Sequence, residues 1–139
     1  MQETLEYIKQ AFDLKSQKCY KQAIEMLYKA LEAESDNIEI LFQLGELYFL
    51  LNNFQRAVQY LEKVIAKNDK HIEALKILEK IFAFSNDYEN AYETAEKIFG
   101  IEKTPSNLLE LINIASKDKN LDKIKDFENS DILNDVVLY

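Results

Sequence analysis

Very few residues of this 139-residue chain are of the types that carry out chemistry. The single histidine, His71, stands at a predicted helix start without a second histidine or a cysteine near it, so a zinc site is not expected. Cys19 is the only cysteine, which excludes a disulfide within the chain. Acidic pairs such as Asp118 with Asp122 lie four residues apart among lysines, which is typical of solvated surface charge. We therefore expect no catalytic residue, no metal site and no enzyme activity.

The glycine content and the net charge narrow the range of ligands and partners. With only Gly45 and Gly100, the chain has no glycine-rich loop that would hold the phosphates of a cofactor. The formal net charge of −8 disfavours nucleic acid and anionic lipid as main partners. No apolar run is long enough to span a membrane, and the first residues lack the basic and apolar stretches of a signal peptide. These observations predict no cofactor, no membrane insertion and a cytoplasmic location.

The elements that would position a binding site repeat along the chain. Ala23, Ala57 and Ala91 are separated by two steps of 34 residues, and a weaker fourth copy follows around Leu121. Apolar residues between them recur three and four positions apart, which is the spacing of helices and not of strands. A fixed period of this length predicts an all-α solenoid of helix pairs, in which neighbouring repeats close a common core. The alanines are expected where two helices of a pair cross closely.

Start and stop signals predict where each helix begins and ends. Asp36 and Asn86 each precede a glutamate by three residues, so we expect them to be N-caps. Gly100 is expected to end a helix, since glycine is free to take a positive φ, and Thr104 with Pro105 is expected to start the next one. The predicted helices span residues 2–16, 19–33, 37–51, 54–67, 71–84, 87–99, 106–117, 120–128 and, as a short last helix, 131–138.

The second repeat carries the most distinctive pattern, formed by Leu41, Leu44, Gly45, Tyr48, Phe54, Ala57, Leu61 and Val64. This pattern resembles the tetratricopeptide repeat, with Leu41 in place of the consensus Trp and Asp69 in place of the late Pro. The first and third repeats fit the same register, except that Glu79 stands where a small residue is usual. The resemblance implies a right-handed α-α superhelix in one domain over residues 1–139. Its repeats would cover residues 4–37, 38–71 and 72–104, followed by a degenerate repeat or cap over 105–139.

In that family, the first helices of the pairs form a concave groove that usually binds a peptide or helix of a partner protein. The register implies a groove built from Leu5, Ile8, Phe12, Phe42, Glu46, Phe49, Leu50, Lys76, Lys80 and Phe84. Aromatic side chains in such a groove are expected to anchor an apolar or amphipathic segment. Some family members hold a chaperone's C-terminal carboxylate with basic residues. The matching positions here are Ile8, Phe12, Gln43, Glu73 and Ile77, so that kind of binding is not expected.

The main functional hypothesis is therefore a scaffold that binds another protein in this groove. Two alternatives remain open at this point: a self-associating structural domain that forms homo-oligomers, and an accessory interaction domain of a longer protein with enzymatic activity elsewhere. For Phe42 and Phe49, ordinary core packing is the alternative to partner contact. Because similar grooves serve unrelated processes, the sequence does not name the partner or the pathway.

Overall fold

The computed structural model describes residues 2–118 and contains seven α-helices within that range. The helices are α1 (Gln2–Ser16), α2 (Tyr20–Ala33), α3 (Ile38–Leu50), α4 (Phe54–Lys67), α5 (Ile72–Phe84), α6 (Tyr88–Ile101) and α7 (Pro105–Lys117). Every end lies within two residues of its predicted position. The helices predicted over residues 120–128 and 131–138 lie outside the described residues. None of the described helices has the length and apolar character needed to cross a membrane.

The chain divides into two compact units, Met1–Asp69 with α1 to α4 and Lys70–Tyr139 with α5 to α7. The prediction of a single domain over residues 1–139 stays a prediction.

In the first unit, small residues allow the paired helices to approach closely. Helix α1 packs against α2, α3 against α4, and α2 against α3. Ala23 and Ala57 are fully buried, as expected for residues at close helix crossings. Gly45 on α3 faces Leu61 on α4, and a Cβ added to Gly45 would lie only 2.7 Å from Leu61 Cδ2. Position 45 therefore has no room for a side chain unless the buried Leu61 moves.

The second unit has its own apolar core. Helix α5 packs against α6, and α6 packs against α7. Ala91 is fully buried, like its counterparts in the first unit. Ala91 forms one cluster of this core with other side chains of α6 and α7, which are Tyr92, Ala95, Phe99, Leu108, Leu111, Ile114 and Ala115. Phe82, Ala83 and Ile112 pack against this cluster. Helix α5 adds the buried side chains of Leu75, Leu78 and Ile81.

The turn inside each helix pair has the same backbone geometry three times, once every 34 residues. Lys18, Asn52 and Asn86 are the described non-glycine residues with positive φ, at 62°, 61° and 60°. In each turn, the N–H of the next residue donates to a carbonyl five residues earlier. The three N···O distances are 2.8, 2.9 and 2.8 Å, from Cys19 to Leu14, Asn53 to Tyr48 and Asp87 to Phe82. This is the Schellman arrangement, in which a left-handed residue closes the helix.

Two predicted N-caps are wrong by one residue. Asn37, and not Asp36, accepts the N–H of Ile40 with its side chain, at 3.3 Å. Asp87, and not Asn86, accepts the N–H of Asn90 at 3.3 Å. Residue 86 occupies the left-handed turn position with a φ of 60°, so the N-cap is the residue after it, Asp87, which has a φ of −87° and a ψ of 73°.

Of the other predicted helix ends, the one at Gly100 is wrong and the one at Thr104 is confirmed. Gly100 does not end α6, because the N–H of Glu102 still bonds to the carbonyl of Ile98 at 2.8 Å, and no glycine has positive φ. Thr104 is confirmed as an N-cap, with its hydroxyl accepting the N–H of Asn107 at 3.1 Å. His71 also caps a helix, since its Nδ1 accepts the N–H of Ala74 at 3.2 Å.

Replacing Lys18 with asparagine is expected to raise the free energy of unfolding by about 0.5–1 kcal/mol. Lysine tolerates the left-handed region poorly, whereas asparagine already fills the two equivalent turns at 52 and 86. Thermal unfolding followed by circular dichroism measures the effect. The reverse change, Asn52→Lys, is the matched control and should destabilise by a similar amount. A lower melting temperature for Lys18→Asn would contradict this account of the turn.

Candidate functional site

In the first unit, side-chain contacts of Lys15 link α1 and α3, the two helices that hold predicted groove residues. The ammonium of Lys15 on α1 forms an ion pair with Glu46 on α3 and also lies 3.5 Å from Oε1 of Gln43. Burial lowers the pKa of Lys15, partly opposed by the charge of Glu39. These contacts join the stripe of α1 that contains Leu5, Ile8 and Phe12 to the stripe of α3 that contains Glu46. We call this surface the α1–α3 face.

Exposure differs strongly among the predicted residues of the α1–α3 face. Leu5, Phe12 and Leu50 are exposed at 59%, 43% and 40%. Ile8, Glu46 and Phe49 are half-buried, and the ring of Phe49 stacks on Phe54 with centroids 5.8 Å apart. Phe42 is buried, with 9% of its surface accessible, so it contributes mainly to the core. The face therefore presents apolar surface chiefly through Leu5, Phe12 and Leu50.

The second unit holds the remaining predicted residues, Lys76, Lys80 and Phe84, on α5. Phe84 is 75% exposed. The Lys76 ammonium lies 3.8 Å from a carboxylate oxygen of Glu102. These residues belong to one helix, and the two lysines lie four positions apart.

Glu79 in the same helix occupies the position where the family pattern has a small residue. Its side chain is buried, and burial raises the pKa of its carboxyl to about 7. Glu110 on α7 contributes to this rise through a hydrogen bond and charge repulsion, whereas Lys80 and Lys76 oppose it. At neutral pH the carboxyl of Glu79 is thus only partly ionised.

The sequence pattern did not reveal a cluster of tyrosines between α2, α3 and α4. The hydroxyl oxygen of Tyr28 lies 2.5 Å from that of Tyr48 and 3.2 Å from that of Tyr60. The rings of Tyr48 and Tyr60 stack with centroids 5.7 Å apart, and the Arg56 guanidinium lies 5.7 Å from the Tyr48 centroid. Burial raises the pKa of both Tyr28 and Tyr48.

One signal in the sequence does point to this cluster. Arg56, Tyr60, Lys63 and Lys67 follow one another at spacings of four, three and four residues, which places them on one side of α4.

Within residues 2–118, no three His, Cys, Asp or Glu side chains are grouped as metal ligands would be.

Comparison with known proteins assigns the fold of these helix pairs. Residues 14–81 match the family model described as tetratricopeptide repeat. This segment of the chain belongs to the tetratricopeptide repeat family. The matched segment covers the second pair completely and parts of the pairs on either side. The substitution of Glu79 for the usual small residue lies within it. A search of curated proteins finds no match.

Solved structures of tetratricopeptide repeat proteins share the fold. MamA residues 41 to the end, from Desulfovibrio magneticus RS-1, superposes with a TM-score of 0.81 at 19% identity, covering 88% of this chain and 70% of that one. The first TPR of Spaghetti (RPAP3), bound to the HSP90 peptide SRMEEVD, has a TM-score of 0.74 at 21% identity, covering 83% and 92%. The Sgt2 TPR domain from Aspergillus fumigatus has a TM-score of 0.73 at 19% identity, covering 88% and 83%. These similarities confirm the predicted all-α solenoid of antiparallel helix pairs.

Proposed function

We propose that this chain is a non-catalytic, cytoplasmic scaffold that binds an apolar or amphipathic peptide of a partner protein on its α1–α3 face. The observation that carries the proposal is the exposure of three large apolar side chains, Leu5, Phe12 and Leu50, on the first helices of two successive repeats. Large exposed apolar side chains favour contact with another chain. Ile8 and Phe49 supply the half-buried base on which an incoming apolar side chain would rest.

The charge pattern of the face supports an apolar ligand over a terminal carboxylate. Lys15 is a basic residue of this face in the last turn of α1, and its ammonium is already paired with Glu46. The Spaghetti domain was solved with an acidic HSP90 peptide. At the positions where a carboxylate clamp has basic or amide groups, this chain has Ile8, Phe12, Glu73 and Ile77, and Gln43 alone supplies an amide. We therefore propose that this chain binds a peptide, as the Spaghetti domain does, but that its preferred peptide is apolar and not acidic.

In the second unit, the proposed binding residues are Lys76, Lys80 and Phe84 on α5. Phe84 offers an exposed aromatic ring, and the two lysines add positive charge one turn apart. An amphipathic segment with an acidic side would suit these residues.

Self-association through apolar surface is the second candidate function, and the same exposed residues favour it.

The test compares wild type with a Leu5→Ser, Phe12→Ser double variant in affinity capture from the source cell's lysate, followed by mass spectrometry. Both side chains are exposed, so the variant should fold. Phe42 is unsuitable because it is buried. The matched control is Gln10→Ser with Gln55→Ser, which changes two exposed helical residues elsewhere. A protein captured by wild type and control but reduced at least about tenfold with the double variant is the expected result.

Two other outcomes would count against the scaffold proposal. Equal capture of a protein by wild type, the control and the double variant would show that this protein binds elsewhere than on the α1–α3 face. Capture of nothing but the chain itself, together with a dimer in light scattering that Leu5→Ser and Phe12→Ser dissociate, would favour self-association.

A further inference from the structure

A second surface of the first unit has a different character, and it is formed by α2, α3 and α4. On α4, Arg56, Tyr60, Lys63 and Lys67 form one stripe. The Lys63 ammonium lies 5.3 Å from the Tyr60 ring centroid, and the Arg56 guanidinium lies over Tyr48. Three cations therefore follow one side of a single helix in a chain whose net charge is −8.

This stripe forms one wall of a cleft. The opposite wall is α2, since Tyr28 reaches across to the hydroxyl of Tyr60 at 3.2 Å. Helix α3 supplies the floor with Leu41 and Tyr48, which are buried and lie two turns apart. We call this the α2–α4 cleft.

The cleft contains an apolar hollow at the end farther from Arg56. The hollow has a volume of about 540 Å³ and is lined by Leu31, Ser35, Asp36, Leu41, Lys63, Ala66 and Lys67. Leu41 is the residue that replaces the family's consensus Trp, and it lies in this lining. Asp36 is the one carboxylate of the lining, and its side chain is 86% exposed and bonded to Lys67 at 3.4 Å. The hollow thus combines apolar walls with two ammonium groups.

The spacing of the cations defines the length of a matching ligand. Seven and eleven residues separate Arg56 from Lys63 and Lys67, which corresponds to about 10–16 Å along a helix. An extended peptide rises about 3.3 Å per residue, so carboxylates three to five residues apart would reach both ends. Arginine and lysine bind carboxylates through charge-assisted hydrogen bonds.

We propose that the α2–α4 cleft binds an acidic peptide segment, with one apolar side chain in the hollow beside Leu31 and Leu41. Its carboxylates pair with Arg56 at one end and with Lys63 and Lys67 at the other. A peptide is favoured over nucleic acid because the apolar hollow has no counterpart in a phosphate backbone. The acidic remainder of the chain also repels a long polyanion. This site is separate from the α1–α3 face and goes beyond the function proposed above.

The test measures binding by fluorescence anisotropy with a fluorescein-labelled peptide of repeated Glu-Leu-Glu-Gly units. A peptide with Gln in place of Glu and a single-stranded oligothymidylate are the reference probes. The acidic peptide should bind wild type more tightly than either reference, and added salt should weaken it. Lys63→Gln with Lys67→Gln should weaken it about tenfold or more. The matched control, Lys9→Gln with Lys21→Gln, removes two exposed lysines elsewhere in the unit and should change the affinity less than about twofold.

A second variant examines the hollow without changing charge. Ala66→Trp places a large side chain there, and because Ala66 is exposed the fold should survive. This variant should weaken the Glu-Leu-Glu-Gly peptide, and Leu5→Ser with Phe12→Ser should not. Equal affinities for the Lys63, Lys67 variant and its control would overturn the proposal. Oligothymidylate binding as tight as the peptide and equally dependent on Lys63 and Lys67 would also overturn it, in favour of a nucleic-acid surface.

Discussion

At pH 8, Glu79→Gln is expected to stabilise the protein by about 1–3 kcal/mol, with little or no gain at pH 5. Glu79 is buried on α5, and burial together with Glu110 raises the pKa of its carboxyl to about 7. The folded state therefore holds a proton that the unfolded chain releases near its ordinary pKa of 4.5. This contribution to stability is fully present below pH 4.5, declines as the pH rises, and is lost above about pH 7. Glutamine resembles the protonated carboxyl at every pH, so its advantage appears only at the alkaline end.

Urea unfolding at pH 5 and pH 8 measures both free energies of unfolding. Glu93→Gln is the matched control, because it removes one exposed carboxylate from the same unit. Glu110→Gln should give part of the gain at pH 8, since it removes the repulsion but leaves Glu79 buried. Equal effects of Glu79→Gln at the two pH values would show that the carboxyl of Glu79 is not protonated by its surroundings.

Alanine at position 45 is expected to lower the free energy of unfolding by about 1–2 kcal/mol, whereas alanine at position 100 should raise it by up to about 1 kcal/mol. Both glycines lie in helices, where alanine is the better helix former. At Gly45 this gain is exceeded by a clash, because the new Cβ would lie 2.7 Å from Cδ2 and 2.8 Å from Cγ of the buried Leu61. At Gly100, a Cβ would meet no atom within 4 Å.

Thermal unfolding measures the stability of the two single variants. Because Gly45→Ala should destabilise the protein and Gly100→Ala should stabilise it, each variant is the control for the other. Leu61→Ala alone should cost about 2–5 kcal/mol because Leu61 is fully buried. In that background the further cost of Gly45→Ala should be smaller than in wild type, because the smaller residue frees the space that the Cβ needs. If Gly45→Ala alone were as stable as wild type, α3 and α4 would be packed less closely than the structure shows.

The helix pairs could be predicted from the sequence because their signals are periodic and local. Ala23, Ala57 and Ala91 mark the close crossings, and all three are fully buried. Thr104 followed by Pro105 is a cap signal contained in two adjacent residues, and it was read correctly. The prediction that Gly100 ends α6 was wrong, because the hydrogen bond from Glu102 to Ile98 continues the helix past Gly100. Gly100 does not take a positive φ.

The candidate sites were less predictable, because they depend on side chains that are distant in sequence. Tyr28, Tyr48 and Tyr60 each occupy an ordinary helical position, and only the packing of three helices brings their hydroxyls together. The groove residues followed from the family register, which gives positions but not exposure. Phe42 and Phe12 therefore looked equivalent in the sequence, although one is buried and the other is 43% exposed.

The three equivalent turns at Lys18, Asn52 and Asn86 also have a consequence for how the length of the chain can change. Each turn is closed by backbone bonds to residues at most five positions earlier, so its geometry depends only on the local chain. A block of residues 19–52 could be removed so that Lys18 is followed by Asn53, and the turn would keep a left-handed residue followed by an N-cap. The same junction would accept a copied block. Duplication or loss in steps of one turn-to-turn interval thus preserves every helix end, which is a simple physical route for such a chain to lengthen or shorten.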